Sequence, residues 1–224
     1  MENYLIESYN LNNIIFTKPK KYTDYLVSKV KYNNESGDLE PQELVVQFPK
    51  MIISDQPSEK NIELEFTNSK GYNKEMYNFL RNLDQFIIKK VQSSSEDWFE
   101  KEIPIESVKK MYNSFIKAPR TTDSKSNINF SFKINKGKVT TLFFDRKGNE
   151  IEYSQFKKDE IVECIAHFKY IFFSKDTCFP VWELVSSKLH KKIEKVPKFG
   201  FIDDPEDRPK VESDDEQFEN PNFF

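Results

Sequence analysis

The chain has 224 residues, 34 Lys and Arg against 37 Asp and Glu, and a formal net charge of −3. That length suits one or two domains with a substantial core, and an aromatic content of 15%, with 21 Phe, supplies material to fill it. Only 5 Gly are present and neither G-x-G-x-x-G nor G-x-x-x-x-G-K-[ST] occurs, which argues against glycine-loop dinucleotide and P-loop chemistry. No run of about 18 apolar residues appears, and the Met1-Glu-Asn-Tyr4 start lacks the layout of a signal peptide. Two Cys give no disulfide framework. The expectation is a soluble, non-secreted protein of a reducing compartment with no membrane partner.

Three short segments of strand character come first, at Tyr25–Tyr32, Leu44–Phe48 and Ile62–Phe66, rich in β-branched and aromatic residues and separated by Asn, Gly, Pro and Ser. The period then changes. Met76, Phe79, Leu80, Leu83, Ile87 and Val91 recur at three- and four-residue steps, which predicts an amphipathic helix over about 73–92, stopped by the polar run Ser93–Asp97. Ile105, Val108, Met111, Tyr112 and Phe115 predict a second helix to Ile116, with Pro104 at its start and Pro119 beyond its end.

Strands return after Arg120–Asn127. Ile128, Phe130, Phe132 and Ile134 alternate with polar residues, Lys136-Gly137 turns the chain into Val139–Phe144, and Asp145–Asn149 turns it again into Glu150–Tyr153. The longest candidates are Ile161–Phe173 and Val181–Leu189, joined by a loop through Asp176 and Pro180. The order of elements predicts a mainly β protein, a small β-barrel with a helical insertion at about 73–116 in a domain spanning residues 1–202.

Residues 203–224 differ in kind. Nine carboxylates face only Arg208 and Lys210, a net of −7, so the first 202 residues carry +4. Such a segment cannot bury enough apolar surface to fold alone and is expected to be a disordered acidic tail, with Phe223 and Phe224 as its anchor for a partner.

Catalytic patterns are absent: the two His, His167 and His190, stand in no nucleophile motif, so no enzyme activity and no cofactor are expected. Cys164, His167, Cys178 and His190 form a nominal zinc set, but positions 164 and 167 point to opposite faces of a strand, and Cys164 reads as a small core residue. No metal is expected. On Ile161–Phe173 the even positions Val162, Cys164, Ala166, Phe168, Tyr170 and Phe172 are predicted to face the core. The odd positions then present His167, Lys169 and Phe173 beside Glu163, Ile165 and Ile171. Rings mixed with cations suit a single strand of nucleic acid, which needs base stacking and phosphate contacts. Lys29 and Lys31, Phe48 and Lys50, and the Phe144, Arg146 and Lys147 hairpin offer the same mixture.

The segments Lys158–Phe173 and Phe179–Lys188, with Trp182 near the start of the closing strand, resemble the end of an OB-fold. They are similar to the single-stranded-DNA-binding proteins of nucleocytoplasmic large DNA viruses and short-tailed phages. Val46-Gln-Phe-Pro-Lys-Met51 and the acidic, Phe-ended tail resemble features of the same family. The likeness runs from about Asn13 to Lys191 plus the tail, but Cys178-Phe179-Pro180 replaces the usual glycine-containing approach to the Trp. The resemblance implies an OB-fold, sequence-tolerant binding of single-stranded DNA with Trp182 near the strand, and a role in viral DNA replication and recombination. It also implies recruitment of a polymerase or helicase-primase through the tail. A homodimer, and a location in host cytoplasm or nucleus at viral replication sites or in the virion, are compatible with it. The alternative is a viral structural or virus-factory interaction protein that binds no DNA.

Overall fold

The computed structural model describes residues 5–33, 40–67, 70–119 and 125–190. Its first strands are β1 (Ile14–Phe16), β2 (Lys20–Lys21), β3 (Leu26–Tyr32), β4 (Val45–Ile53) and β5 (Asn61–Phe66). Three helices follow, α1 (Gly71–Ser93), α2 (Ser95–Phe99) and α3 (Ile105–Met111). Then come β6 (Asn127–Phe132), β7 (Ile134–Asn135), β8 (Lys138–Val139), β9 (Leu142–Phe144), β10 (Glu150–Ile151), β11 (Ile161–Phe173) and β12 (Cys178–His190). No described helix is long and apolar enough to cross a membrane.

Five strands close a barrel. β4, β5 and β6 form an antiparallel meander, β6 lies parallel to β12, β12 is antiparallel to β11, and β11 returns antiparallel to β4. Counted along the chain these are strands one to five in the ring order 1-2-3-5-4, the Greek-key arrangement of an OB-type barrel. The helical insertion falls between the second and third strands. β3 extends the sheet beyond the barrel on the last four residues of β11 and carries β1 and β2. At the opposite end of β12, β9 and β10 are added.

Closure requires the strands to bend, and bulges supply the bend. Pro49 and Lys50 face the single Glu163, so Pro49, which has no N–H to give, sits at an irregularity. Farther on, Phe168 pairs with Trp182 and Tyr170 with Val181, which leaves Lys169 as an extra residue. The expected alternation of β11 holds through Val162, Cys164, Ala166 and Phe168 and then reverses: Ile171 and Phe173 are buried, while Tyr170 and Phe172 turn outward.

A cluster of aromatic rings sits among the aliphatic residues of the barrel interior. Trp182, 1% exposed, stacks on Phe168 with centroids 4.9 Å apart, meets Phe48 edge-on at 5.4 Å and lies against Phe115 at 5.6 Å. Phe48 in turn packs edge-on against Phe130. Phe48 and Trp182, expected in a nucleic-acid site, are therefore core residues, because both sit on inward positions of barrel strands.

α1 buries Met76, Leu80, Leu83, Ile87 and Val91, the stripe its period predicts, and leaves Phe79 half-buried. Two departures follow it. The polar run after α1 becomes α2 rather than a loop, because Ser95 is buried, donates to the Gln92 carbonyl at 2.8 Å and accepts from the Ile103 amide at 3.0 Å. The second predicted helix stops at Met111 instead of Ile116. Tyr112 turns extended, the Asn113 amide donates to the Cys178 carbonyl, and Tyr112 Oη and Ser114 Oγ donate to the two oxygens of buried Asp84 at 2.6 and 2.5 Å. Asp84 thereby fastens the segment after α3 to α1.

Burial pushes the Asp84 carboxyl above its usual range, against the lowering pull of its Ser114 and Tyr112 hydrogen bonds. A carboxyl raised in the folded state disfavours folding once ionised, so its contribution is most favourable below the unfolded value and declines as pH rises through the folded one. Asp84→Ala should lower stability by about 2–4 kcal/mol, since it strands two partly buried hydroxyls. Thermal denaturation of the variant and the parent across pH 4–7 checks this, with the difference between them narrowing as pH rises.

Candidate nucleic-acid interface

Where β2 turns into β3, the Tyr22 amide donates to the Tyr25 carbonyl at 2.8 Å. The tight turn brings both phenol rings together, stacked with centroids 5.0 Å apart and planes 12° from parallel. Tyr25 stacks on Phe172 at 5.1 Å, and Phe172 stacks on Phe179, its partner across β11–β12, at 4.9 Å. Four rings form a column beside the β11–β12 turn. Tyr22 is 48% and Tyr25 38% exposed. The reversal of β11 at Lys169 is what places Phe172 in it.

A groove of about 360 Å³ opens beside Tyr22 and Tyr25 of this column, and Tyr170, Lys29, Lys31 and Lys169 also line it. Lys29 lies opposite Tyr170 in the β3–β11 pairing, and β2 adds the exposed Lys20 and Lys21 next to it. Two carboxylates temper the charge. Lys169 is ion-paired with Glu183, which is buried, and His167 Nδ1 lies 3.8 Å from Glu43. Burial holds the His167 imidazole below its usual value despite both carboxylates, so it is neutral at pH 7. Its Nε2 is buried with no hydrogen-bond partner among the described residues.

The outer face of the second and third barrel strands, where OB barrels commonly hold oligonucleotides, has a different character. It carries Glu63 and Glu65 with Asn127 and Asn129, and the Glu63 carboxylate accepts from Asn127 Nδ2 at 2.9 Å and lies 3.7 Å from Lys117 Nζ. Carboxylates there repel phosphate, whereas the β3–β11 groove offers rings and ammonium groups together.

Of the residues expected from sequence, Lys29, Lys31, His167 and Lys169 meet in this groove. Phe173 does not: the bulge turns it inward, where it packs on Trp98 and Phe99. Phe144, Arg146 and Lys147 lie at the opposite end of β12, where Arg146 Nε donates to the His190 carbonyl and its guanidinium is 3.6 Å from Glu160. His190 and Val181, opposite Tyr170, are separated by about 30 Å of strand. Lys50 is exposed at the β4 bulge, outside the groove lining. Phe223 and Phe224 lie outside the described residues.

Sequence reading missed Tyr22, Tyr25, Tyr170, Phe172 and Phe179, and the acids Glu43 and Glu183. The Tyr22-Thr-Asp-Tyr25 spacing was an available sign of a turn with two rings, but the outward Tyr170 and Phe172 depended on an invisible bulge. Cys164 is a core residue, its sulfur 3.2 Å from Ser187 Oγ and its thiol pushed up to about 12 by burial. Among the described residues no cluster of three or more His, Cys, Asp or Glu could hold a metal.

The chain belongs to a family of unknown function (DUF5871), matched over residues 50–203. No curated protein matches the sequence. Among solved structures it is similar to gp2.5, a single-stranded DNA-binding protein encoded by bacteriophage T7, with 7% identity and a TM-score of 0.46 over 70% of this chain and 97% of that one. It is also similar to the single-stranded DNA-binding protein of bacteriophage Enc34, as a C-terminal truncation (14% identity, TM-score 0.43, 80% and 96% covered) and untruncated (10% identity, TM-score 0.40, 82% and 95% covered).

Because Trp182 and Trp98 are both buried, neither can stack on a base, and the native tryptophan emission should be indifferent to oligo-dT. Tyr25→Trp puts an indole into the exposed column. Its added emission should fall on titration with oligo-dT, and an unresponsive indole at position 25 alongside measurable binding would move the strand elsewhere.

Proposed function

We propose that the chain is a single-stranded-DNA-binding protein without catalytic activity, holding its strand in the β3–β11 groove. The observation that carries this reading is the column of four stacked, partly exposed rings next to Lys29, Lys31 and Lys169. A ring column accepts unpaired bases of any sequence, each engaged ring contributing about 1–3 kcal/mol, and ammonium groups at the groove take the phosphates. Duplex DNA hides its base faces and gains only the phosphate contacts.

Single strands should therefore bind more tightly than duplex of equal length. Tyr22→Ala, which removes an exposed ring, should weaken oligo-dT binding by about 1–3 kcal/mol in a fluorescence-anisotropy titration. Lys29→Gln and Lys31→Gln should each flatten the dependence of log affinity on log salt by about 0.7. Lys169→Gln should cost more, since it leaves Glu183 unpaired and facing phosphate. Arg146→Gln and Lys147→Gln should change nothing at the length of a short oligomer. If oligo-dT is not retarded at low salt and the protein forms a stable oligomer that covers the column, the rings are a protein interface and the interaction-protein reading replaces this one.

The acidic segment 203–224 extends the proposal. Its net charge of −7 opposes the approach of phosphate, and Phe223 and Phe224 anchor a replication partner such as a polymerase or helicase-primase; on this reading the protein acts in viral DNA replication and recombination at sites in the host cytoplasm or nucleus. Deleting Asp203–Phe224 should tighten DNA binding at low salt, by a factor that shrinks as salt screens the charge. Phe223→Ala/Phe224→Ala should bind DNA like the parent while losing the co-purified partner; retention of every partner would leave the segment a solubilising role only.

A further inference from the structure

The hairpin of β7 and β8 carries charge of one sign only. From Asn127 to Phe144 the chain holds Lys133, Lys136 and Lys138 and no carboxylate. All three lysines are exposed, and none is ion-paired among the described residues. The turn between the strands is Lys136-Gly137, with φ of +48° and +77°, the positive values that a type I′ hairpin needs at both central positions. Its base is fastened to the barrel. The Thr140 amide donates to the Lys133 carbonyl at 2.7 Å, the Lys133 amide donates to Thr141 Oγ1 at 2.8 Å, and that hydroxyl donates to the Leu184 carbonyl at 2.8 Å. The lysines are therefore presented on an anchored arm.

Sheet register puts this arm next to the groove. His167, Glu183 and Ser131 lie side by side on β11, β12 and β6, about 10 Å from first to last. Lys133 follows Ser131 by two residues and keeps its face. Burial is the main reason the His167 imidazole sits below its usual value, and the charges of Lys169 and Lys133 lower it further, so Lys133 acts on the groove from where it stands. Between the two lies Val185. Ala166 pairs with Leu184 and Ile165 with Ser186, which leaves Val185 as an extra residue on β12, 37% exposed and one step past the Leu184–Phe132 pair. Ile134, on the hairpin itself, is 46% exposed. The neighbouring turn between β9 and β10 mixes Asp145 and Glu150 with its cations, as ordinary solvated surface does, whereas the β7–β8 arm does not.

We propose that the β7–β8 hairpin is a second contact for the single strand, which leaves the β3–β11 groove past Lys169, crosses β12 over Val185 and lays its phosphates along Lys133, Lys136 and Lys138. The proposal rests on the proposed function and extends it by naming the direction in which a longer strand continues. The groove, where two carboxylates offset the lysines, selects for unpaired bases; the unopposed lysines of the arm add the salt-dependent share of affinity, and only to strands long enough to reach them.

The test is Lys136→Gln/Lys138→Gln, which alters two exposed side chains of the arm, with Lys89→Gln/Lys110→Gln, exposed on α1 and α3, as a control for charge alone. Affinity for oligo-dT is measured against length and salt, with thermal melting to confirm that each variant is folded. The arm variant should bind the shortest retained oligomers like the parent, lose the gain that the parent shows with length, and have a salt dependence on long oligomers flatter by about 1.4. The control should behave as the parent. Ile134→Trp supplies a second readout: its added emission should change with long oligomers and stay constant with the shortest. The proposal falls if the arm variant follows the parent at every length, if the control loses as much, if short oligomers lose as much as long ones, or if the indole at position 134 is silent while a long oligomer is bound. Each of these outcomes is compatible with binding in the groove. If instead the parent binds no oligo-dT of any length, the proposed function is wrong and the arm falls with it.

Discussion

One extra residue in one strand divides the rings of this molecule between a buried core and an outer column. β11 pairs with three neighbours, β3, β4 and β12, and from Val162 its residues alternate inward and outward until Lys169, which stands as an extra residue against β12. Before that point Phe168 belongs to the barrel interior, stacked on Trp182. After it Phe172 belongs to the exterior, stacked between Tyr25 and Phe179. Without the bulge Phe172 would turn inward, and Ile171 and Phe173 would present their apolar side chains to water. The extra residue is itself a lysine, and its ammonium is held in the groove by Glu183. Bend, change of face and positive charge therefore share one position, as bulges at barrel rims commonly re-aim side chains near functional sites.

The balance between rings and charge sets what kind of binding such a groove supports. Three lysines face two carboxylates, and the neutral His167 adds nothing at pH 7. Phosphate attraction is therefore modest and weakens with salt. Stacking depends little on salt and is available only to unpaired bases, so under the proposed function a groove with this modest positive excess discriminates by strandedness more than by charge density. Under the same proposal Glu43 and Glu183 serve specificity more than affinity, because they weaken any binding driven by phosphate alone. The carboxylates on the outer face of β5 extend the same logic, excluding phosphate from a barrel face that many OB proteins use.

What sequence could convey followed period, and what it could not convey depended on contacts. The stripe of α1 and the full extent of β11 were legible, because 3.6-residue and two-residue repeats are properties of the chain itself. The mainly β character with a helical insertion followed from their order. The end of α3 was not legible: Asp84, 28 residues earlier than Tyr112, supplies the carboxylate that draws Tyr112 and Ser114 out of the helix. Nor was the buried Ser95 that converts a polar stop into α2. In the groove, Lys29, Lys31, His167 and Lys169 could be named from sequence because each stands on a predicted strand beside apolar residues. The rings could not, since the reversal of β11 is a consequence of barrel closure rather than of local pattern.

Closure also explains why aromatic residues are so abundant. A five-stranded barrel has a narrow interior, and Trp182, Phe48, Phe130 and Phe168 are all fully buried in it. Those rings interlock edge to face and face to face, so the barrel resists the deformation that would shift β11 against β12. A stiff barrel fixes the outward side chains of the same two strands. Phe172 and Phe179 are thereby held in stacked register by the fold itself, and under the proposed function a base that joins the column meets a platform whose ordering cost has already been met by folding.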